Sequence, residues 1–181
     1  GSGGILSHAP RRSQAALMLI DAFLPEGVTR LAVDSIFMMP QLGVLSTVHE
    51  QAATEVFEKD CLIKLGTCIS PVGTGKEGAP CVRVRFLNSP TLPEATEVKF
   101  GEMVLLPLAE GKWTEILIEP EKGFDVGAGR GKALKASVEG GVVGVIIDAR
   151  GRNPFPLPEN PQQRVAKLRG WLEALDVYPD H

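Results

Sequence analysis

The chain has 181 residues, of which 44% are hydrophobic and 23% charged, and its formal net charge is −3. This is the composition of a globular protein that is long enough to bury a core. A slightly negative charge gives no electrostatic basis for binding nucleic acid, and no apolar run reaches the ~20 residues of a membrane-spanning helix. We therefore expect a cytoplasmic protein without nucleic-acid or membrane partners.

Residues 1–60 predict helices on both sides of a single strand. An apolar stripe predicts a helix over Ser13–Leu24, Val28–Val33 reads as a strand, and Pro40–Val48 predicts a helix that a second one, His49–Lys59, continues. A single strand between helices is an α/β pattern, yet one strand cannot form a sheet. We therefore predict that residues 1–60 are the last piece of a larger α/β domain. Its stripe and strand would be poorly covered here or would pack against another copy in a homo-oligomer.

From Cys61 onward the sequence predicts strands, and the predicted fold class is therefore α+β. Polar and glycine-rich loops separate seven strand candidates: Leu62–Pro71, Val82–Leu87, Ala95–Phe100, Met103–Leu108, Thr114–Glu119, Lys132–Glu139 and Val142–Asp148. This spacing is typical of a mainly antiparallel sandwich or barrel, which we assign to residues 61–152. The remaining residues, 153–181, would form a linker and a terminal amphipathic helix. Prolines in Arg150–Pro161 indicate the extended linker, and the stripe on Gln162–Leu175 indicates the helix.

Glycine clusters in the β region invite a phosphate-binding interpretation, which their spacing does not support. The GxGxG loop Gly127–Gly131 is one residue short of a dinucleotide fingerprint and leads into a strand, and no Ser or Thr follows Lys132 as a Walker loop requires. We interpret it as a structural connection between strands. Gly140-Gly141 predicts a tight hairpin turn, and Gly73–Lys76 predicts a hairpin connection.

No catalytic constellation is visible in the sequence. The histidines, His8, His49 and His181, are far apart, and the spacing of the cysteines, Cys61, Cys68 and Cys81, contains no CxxC pair, so we expect reduced, buried thiols and no metal site.

Four charged residues near strand ends could still contribute chemistry. Asp34 and Asp148 each end a strand candidate, where a carboxylate can face a ligand crevice or simply form a turn. Arg150 and Arg152 could bind an anion or pair with surface acids.

Several sequence blocks, in order, resemble the C-terminal part of the glutamate mutase accessory protein MutL family, which is unrelated to the mismatch-repair protein of the same name. The blocks span nearly the whole chain: GSGGILSHAP, GVTRLAVDSIFMMPQLGVLSTV, LIKLGTCISPVGTG, FDVGAGRGK and EGGVVGVIIDARGRNPFPLP. That family is similar to the actin, sugar-kinase and heat-shock ATPase superfamily. The resemblance therefore implies that residues 1–60 are the C-terminal remnant of an actin-like ATPase domain.

The resemblance also implies a nucleotide-binding role for Gly1, Ser2, Gly3, Gly4 and Asp34, because a glycine loop touches the nucleotide in that superfamily. ATP or ADP with Mg²⁺ would bind the full-length protein, whereas no firmly bound cofactor is expected on this fragment. The first phosphate loop and the catalytic acid of the family belong to the half that precedes this chain. The fragment alone should therefore not hydrolyse ATP.

As a function, the resemblance implies a reactivating or assembly chaperone for an adenosylcobalamin-dependent mutase, with the mutase or its B12-binding subunit as the partner. The alternative is a non-catalytic protein-binding or assembly module without a nucleotide site. An independent enzyme is disfavoured, since no acid–base or nucleophile pair stands at a spacing that chemistry would require.

Overall fold

The computed structural model describes residues 1–152 and 157–178, which form three layers. The layers are a helical layer, a central four-stranded sheet and an outer four-stranded sheet. The helices are α1 (Gly4–Ser7), α2 (Arg12–Phe23), α3 (Met39–Val56) with a π-helical turn at Phe57–Cys61, and α4 (Pro161–Ala174). The strands are β1 (Gly27–Asp34), β2 (Leu62–Ser70), β3 (Val72–Gly73), β4 (Pro80–Leu87), β5 (Ala95–Lys99), β6 (Met103–Leu106), β7 (Trp113–Pro120), β8 (Phe124–Asp125), β9 (Leu134–Glu139) and β10 (Gly144–Asp148).

The central sheet has the strand order β1-β2-β10-β6 and contains one parallel pair. β1 and β6 pair antiparallel with their neighbours, whereas β10 runs parallel to β2 with Gly144 opposite Gly66. The strand predicted at Val28–Val33 is thus antiparallel to β2, which lies beyond residue 60. The sheet therefore crosses the boundary that the sequence predicts between residues 60 and 61, and the division into domains stays a prediction.

The outer sheet is entirely antiparallel, in the order β5-β4-β7-β9. Its strands alternate buried and less buried residues, most regularly in β7, because one face packs on the central sheet and the other meets solvent. Val84, Ile116 and Val138 of this sheet join Ile69 and Ile147 of the central sheet in one buried apolar cluster. The predicted mainly antiparallel β region is therefore confirmed, and its two principal sheets pack face to face.

Helices α2 and α4 cover the other face of the central sheet. Ala16 and Ile20 of α2 are fully buried against β1 and β2, and Trp171 and Leu175 anchor the C-terminal segment in the same cluster. The expectation that the α2 stripe would be poorly covered is therefore wrong for these residues. Phe23, at the end of that stripe, is 73% exposed. The predicted C-terminal helix is confirmed; the predicted linker lies in part, at 153–156, outside the described residues, as does His181.

Helix α3 is the most exposed of the longer helices in the described part of the chain. Of its residues, only Leu42 and Ala53 are buried, while Val44 and Val48 are 71% and 85% exposed. The backbone leaves helical geometry at His49, with φ −148° and ψ 82°, so two helical segments meet there as the sequence predicts. The His49 ring accepts a hydrogen bond from the N–H of Ala52 at 3.1 Å, which satisfies one donor at the start of the second segment.

Two of the predicted hairpins are wrong. Gly140-Gly141 joins β9 of the outer sheet to β10 of the central sheet, so these glycines cross between layers instead of reversing the chain within one. A Cβ at Gly140 would meet the carbonyl groups of Leu108 and Ala109, which explains why the crossing needs glycine. Likewise, the Gly73–Lys76 loop links β3, which pairs with β8, to β4 of the outer sheet.

The loop Gly127–Gly131 is a structural connection between β8 and β9, as the sequence predicts. Asp125 Oδ1 accepts hydrogen bonds from the N–H groups of Gly127 and Gly129 at 2.7 and 2.9 Å, so the loop closes on its own side chain. Those bonds lower the pKa of Asp125, and burial raises it by less. The pKa of Asp125 therefore lies below its ordinary value. Across residues 1–152 and 157–178, no helix has the length and apolarity that crossing a membrane requires.

Candidate functional site

The structure brings the glycine turn and Asp34 together at the end of β1. The Gly1 ammonium donates to Ala32 O at 2.9 Å, and the Asp34 N–H donates to Gly1 O at 2.8 Å. Ser2 Oγ donates to Asp34 Oδ2 at 3.2 Å. Two of the five residues assigned from the resemblance, Gly1 and Ser2, are thus hydrogen-bonded directly to a third, Asp34.

The Asp34 carboxylate is fully buried and faces its own chain. It accepts hydrogen bonds from the N–H of Ile36 at 3.3 Å and of Met39 at 2.9 Å, which ties β1 to the start of α3. Burial alone would raise the pKa of Asp34, but these backbone donors and Ser2 outweigh it and leave the pKa below its ordinary value. Asp34 is therefore an ionised positioning group for the turn and for α3.

Gly3 and Gly4 present backbone without side chains at the surface. Gly3 has φ +118°, in the region that glycine tolerates, and a Cβ on either residue would meet nothing within 4 Å. The Gly3 carbonyl accepts the first hydrogen bonds of α1, from Leu6 and Ser7. Among the described residues, no hydrogen bond from the N–H groups of Gly3 or Gly4 is present, so these donors can face an anionic oxygen.

His8 adjoins this turn and was not singled out from the sequence as part of it. Its Nδ1 lies 3.0 Å from the Gly4 carbonyl oxygen and 3.0 Å from Ser7 Oγ. The short helix α1 brings it there, since His8 follows Ser7 directly. Its position four residues after Gly4, one helical turn away, was the available sequence signal.

A second charged cluster lies at the end of β10. From the sequence, Asp148 could face a ligand crevice or form a turn, and Arg150 and Arg152 could bind an anion or pair with surface acids. Arg150 donates to Asp148 at 2.9 Å and to Asp21 Oδ1 at 2.7 Å, while Arg152 lies 3.1 Å from Asp148. Both guanidinium side chains are at most 3% exposed. The expectation that the arginines pair with surface acids holds for Arg150 with Asp21, which is 46% exposed, and is wrong for Asp148, which is fully buried.

This cluster links three elements and has the character of a structural brace. The Arg150 guanidinium lies 5.0 Å from the ring centroid of Trp171, whose Nε1 donates to Gly101 O at 2.7 Å. Burial would lower the pKa of Arg150, but the carboxylates of Asp148 and Asp21 raise it by more. The pKa therefore lies above its ordinary value, and the guanidinium stays charged. Arg150 pairs with both Asp148 and Asp21, whereas Arg152 shares Asp148 and donates to the carbonyl oxygens of Pro25 and Gly151, so both guanidinium groups are engaged within the chain.

A cavity of about 800 Å³ lies against strands β1 and β2. The end of α3 with its π-helical turn lines a second side, and the end of β9 lines a third. Its charged lining comprises Arg30, Lys64 and Glu139 on the sheet side and Glu55, Glu58 and Lys59 on the helical side. The nearly buried Glu139 carboxylate lies 2.7 Å from Lys64 Nζ and 3.5 Å from Arg30, so its charge is compensated within the chain. Among the described residues, no cluster of His, Cys, Asp and Glu has the arrangement of a metal site.

The fold and this turn together define an α+β chain whose opening region is built around a glycine turn closed on the end of a strand. Residues 1–61 match the family model described as MutL protein. The match covers about a third of the chain and supports, over these residues, the resemblance to the MutL family predicted from the sequence. No curated protein and no solved structure matches the chain.

Proposed function

We propose that this chain is the C-terminal part of a MutL-type accessory protein that serves glutamate mutase, an adenosylcobalamin-dependent enzyme. The observation that carries the proposal is the family match over residues 1–61, the region that contains the glycine turn and Asp34. The accessory role takes the form of reactivating or assembling the mutase. Its direct partner is the mutase or its B12-binding subunit.

The nucleotide site of the longer protein would include the turn Gly1–Gly4. The unshielded backbone at Gly3 and Gly4 suits close approach by phosphate oxygens, and Asp34 holds the turn in place through Ser2. Because its oxygens already accept hydrogen bonds from the chain, Asp34 acts by positioning the turn and is not assigned to Mg²⁺. The remaining phosphate and magnesium contacts of an actin-like ATPase would come from residues outside this chain.

Calorimetry tests the nucleotide site directly. ATP and ADP with Mg²⁺ would be titrated into this chain and into a longer protein that carries the preceding half of the ATPase fold. Binding is expected for the longer protein and expected to weaken at least about tenfold in Gly3→Ala, because alanine is strained at φ +118°. Gly43→Ala, at an exposed helical glycine with open space around it, is the matched control and should bind as the unaltered protein does. Absence of binding by the longer protein would contradict the nucleotide site.

A second candidate function is an assembly module that binds its partner without nucleotide. The observation that favours it is the exposed apolar surface of α3, where Val44 and Val48 stand in a segment, Ser35–Val48, that contains no charged residue. Capture of purified glutamate mutase subunits by the chain, with and without Val44→Lys and Val48→Lys, tests this candidate. Capture that is independent of ATP and lost in the lysine variants would favour the module. Capture that requires ATP, or that survives both substitutions, would count against it.

A further inference from the structure

The cavity of about 800 Å³ against β1 and β2 has the size of a small-molecule site. Its walls come from the sheet, from the end of α3 with the π-helical turn Phe57–Cys61, and from the end of β9. The glycine turn and Asp34 lie outside its lining, so it is separate from the proposed nucleotide site. Charged side chains of both signs line it, and their distribution decides what kind of ligand fits.

A β-bulge in β2 gives the sheet side of the cavity its charge. One extra residue, Leu65, interrupts the pairing of β2 with β1. Leu65 and Cys68 both pack in the cluster beneath the helices although they are three residues apart, which regular alternation along a strand does not allow. The bulge therefore turns Lys64 to the opposite face of the sheet, where its ammonium meets Glu139.

Two cations on this face share one anion. The Glu139 carboxylate, 6% exposed, lies 2.7 Å from Lys64 Nζ and 3.5 Å from Arg30 Nη1. The Arg30 side chain is 70% exposed and lies 6.0 Å from the centroid of the Trp113 ring. Among the described residues, no hydrogen bond from the Arg30 guanidinium is present. The sheet side therefore carries one surplus positive charge, and Arg30 keeps a planar set of donors for a ligand.

The helical side carries the opposite surplus. Glu55 and Glu58 supply two carboxylates and Lys59 one ammonium, all on exposed residues at the end of α3 and in its π-helical turn. Glu55 accepts a hydrogen bond from Gln51 Nε2 at 2.8 Å, whereas Glu58 has no ion-pair or hydrogen-bond partner within the described part of the chain. The cavity is therefore polarised, positive at the sheet side and negative at the helical side.

This distribution of charge selects against ions of a single sign. An inorganic phosphate near Arg30 would also face the three carboxylates that line the cavity, and a simple cation would face its three basic groups. A molecule with one carboxylate and one ammonium meets the surplus charge of each side. A carboxylate also matches the fork of the Arg30 guanidinium, which can donate two parallel hydrogen bonds to it.

We infer that this cavity binds a small zwitterion of the amino-acid or short-peptide class. Its carboxylate lies on Arg30 and Lys64, and its ammonium lies on Glu55 and Glu58. The inference goes beyond the proposed function, because it assigns a site and a ligand class that involve neither nucleotide nor mutase.

A series of glycine peptides tests the charge requirement on the complete chain. Glycine, glycylglycine and triglycine carry the same two end groups at increasing separation. The tightest of the three is then compared with its N-acetylated form, which lacks the ammonium, and with its amide, which lacks the carboxylate. Heteronuclear NMR during each titration follows the backbone amide signals of Arg30, Lys64 and Gly66, which line the cavity.

At least one of the three zwitterions is expected to shift these signals saturably. Both blocked forms should bind at least about tenfold more weakly, because each lacks one charged hydrogen-bonding partner. Absence of a saturable shift from every zwitterion would overturn the inference. So would a blocked form that binds as tightly as its parent, since a site for a single charge would explain that result.

Arg30→Gln and Glu58→Gln assign the two ends of the ligand. Both side chains are exposed, so the substitutions should leave the fold intact, which circular dichroism checks. Each should weaken binding of the zwitterion at least about tenfold. Arg83→Gln and Glu97→Gln, in an exposed ion pair of the outer sheet, are the matched controls and should bind as the unaltered protein does. Unchanged binding in either cavity variant would overturn the two opposite contacts and with them the inference.

Discussion

The two four-stranded sheets differ in how many of their faces are covered. The central sheet lies between helices and the outer sheet, and all five residues of β10 are buried. The outer sheet has one face in the core and one face in solvent, so burial alternates along β7. Thr114, Ile116 and Ile118 are buried, and the residues between them are more exposed. Residues of high strand propensity therefore form both a sheet covered on two faces and a sheet covered on one. Only the pattern of polar residues along the strands distinguishes these two environments.

Charge follows the same division. On the outer sheet, Arg83 and Glu97 face each other across β4 and β5 at 3.7 Å, with both side chains more than half exposed. At the end of the central sheet, Asp148 is fully buried between two arginines. A surface ion pair contributes little to the free energy of folding because water already solvates both charges. Removing one partner of a buried pair costs more, since the remaining charge is left in an interior that solvates it poorly.

The largest expected effect is that of Asp148→Asn. The substitution leaves Arg150 and Arg152 short of their shared buried anion, and the free energy of unfolding should fall by about 3–5 kcal/mol. Urea denaturation followed by circular dichroism measures it. Glu97→Gln on the outer sheet is the matched control, with an expected loss of about 0–1 kcal/mol. Similar losses for the two variants would break the distinction between the sheets.

Gly66→Ala probes the packing of the parallel strand pair. Gly66 has φ +134°, and a Cβ there would run into the carbonyl oxygen of Gly144 on β10. Backbone strain and steric overlap together should reduce the free energy of unfolding by about 3 kcal/mol. Gly43→Ala, on the exposed face of α3, should instead raise it by up to about 1 kcal/mol, because alanine favours helix. Thermal and urea unfolding of both variants would show opposite signs; a loss in Gly43→Ala comparable to that in Gly66→Ala would contradict the argument.

Asp34→Asn examines the end of β1 that carries the glycine turn. A carboxylate whose folded pKa is lowered stabilises the protein above its unfolded pKa, and the contribution is lost as the pH falls through the lower folded value. The free energy of unfolding at pH 7 should fall by about 1.5–3 kcal/mol, since hydrogen bonds to a charged acceptor weaken. The difference between the two proteins should shrink below about pH 4, where the unfolded carboxyl is protonated. Urea titrations at several pH values measure this; a constant difference would argue against a titrating Asp34.

The smallest expected effect concerns two buried thiols. Cys68 lies in the core between the helices and the central sheet, and Cys81 lies in the core between the two sheets. Burial, with the charge of Asp148 adding to it, raises the pKa of Cys68 to about 12, and burial raises that of Cys81 to about 12. Iodoacetamide at pH 8 should therefore leave both unmodified in the native protein, because the thiolate is the reactive form. Peptide mass spectrometry after native and denatured labelling measures this. Rapid native labelling of one cysteine and not the other would mean that its layer opens more readily.

Much of the outer sheet could be predicted from residues alone. The alternation of Val82–Leu87 and Thr114–Glu119 indicated half-buried strands, and both lie inside observed strands with slightly wider bounds. Short-range pattern was sufficient there because each strand shows its own dry face. In the opening region, the glycine turn and Asp34 were assigned from family resemblance, and their contact through Ser2 emerged only in three dimensions.

The central sheet was harder because its pairings join residues far apart in the chain. β10 reads as a continuous apolar run, and nothing within it indicates that it lies between β2 and β6 instead of beside β9. Gly140-Gly141 suggested a reversal, whereas tight packing against the backbone of Leu108 and Leu65 explains these glycines. Arg150 and Arg152 also read as surface residues, since only the tertiary structure supplies their buried partner and the indole of Trp171.

The position of β10 has a consequence for how the protein is made. Residues 144–148 supply a strand between β2 and β6, so the central sheet lacks its connecting member until most of the chain has been synthesised. Chains that emerge N-terminus first expose β2 and β6 as open edges during that interval, and non-local pairings of this kind form slowly. On the ribosome, the opening region that carries the glycine turn therefore waits for a strand encoded more than 100 residues later before its sheet is complete.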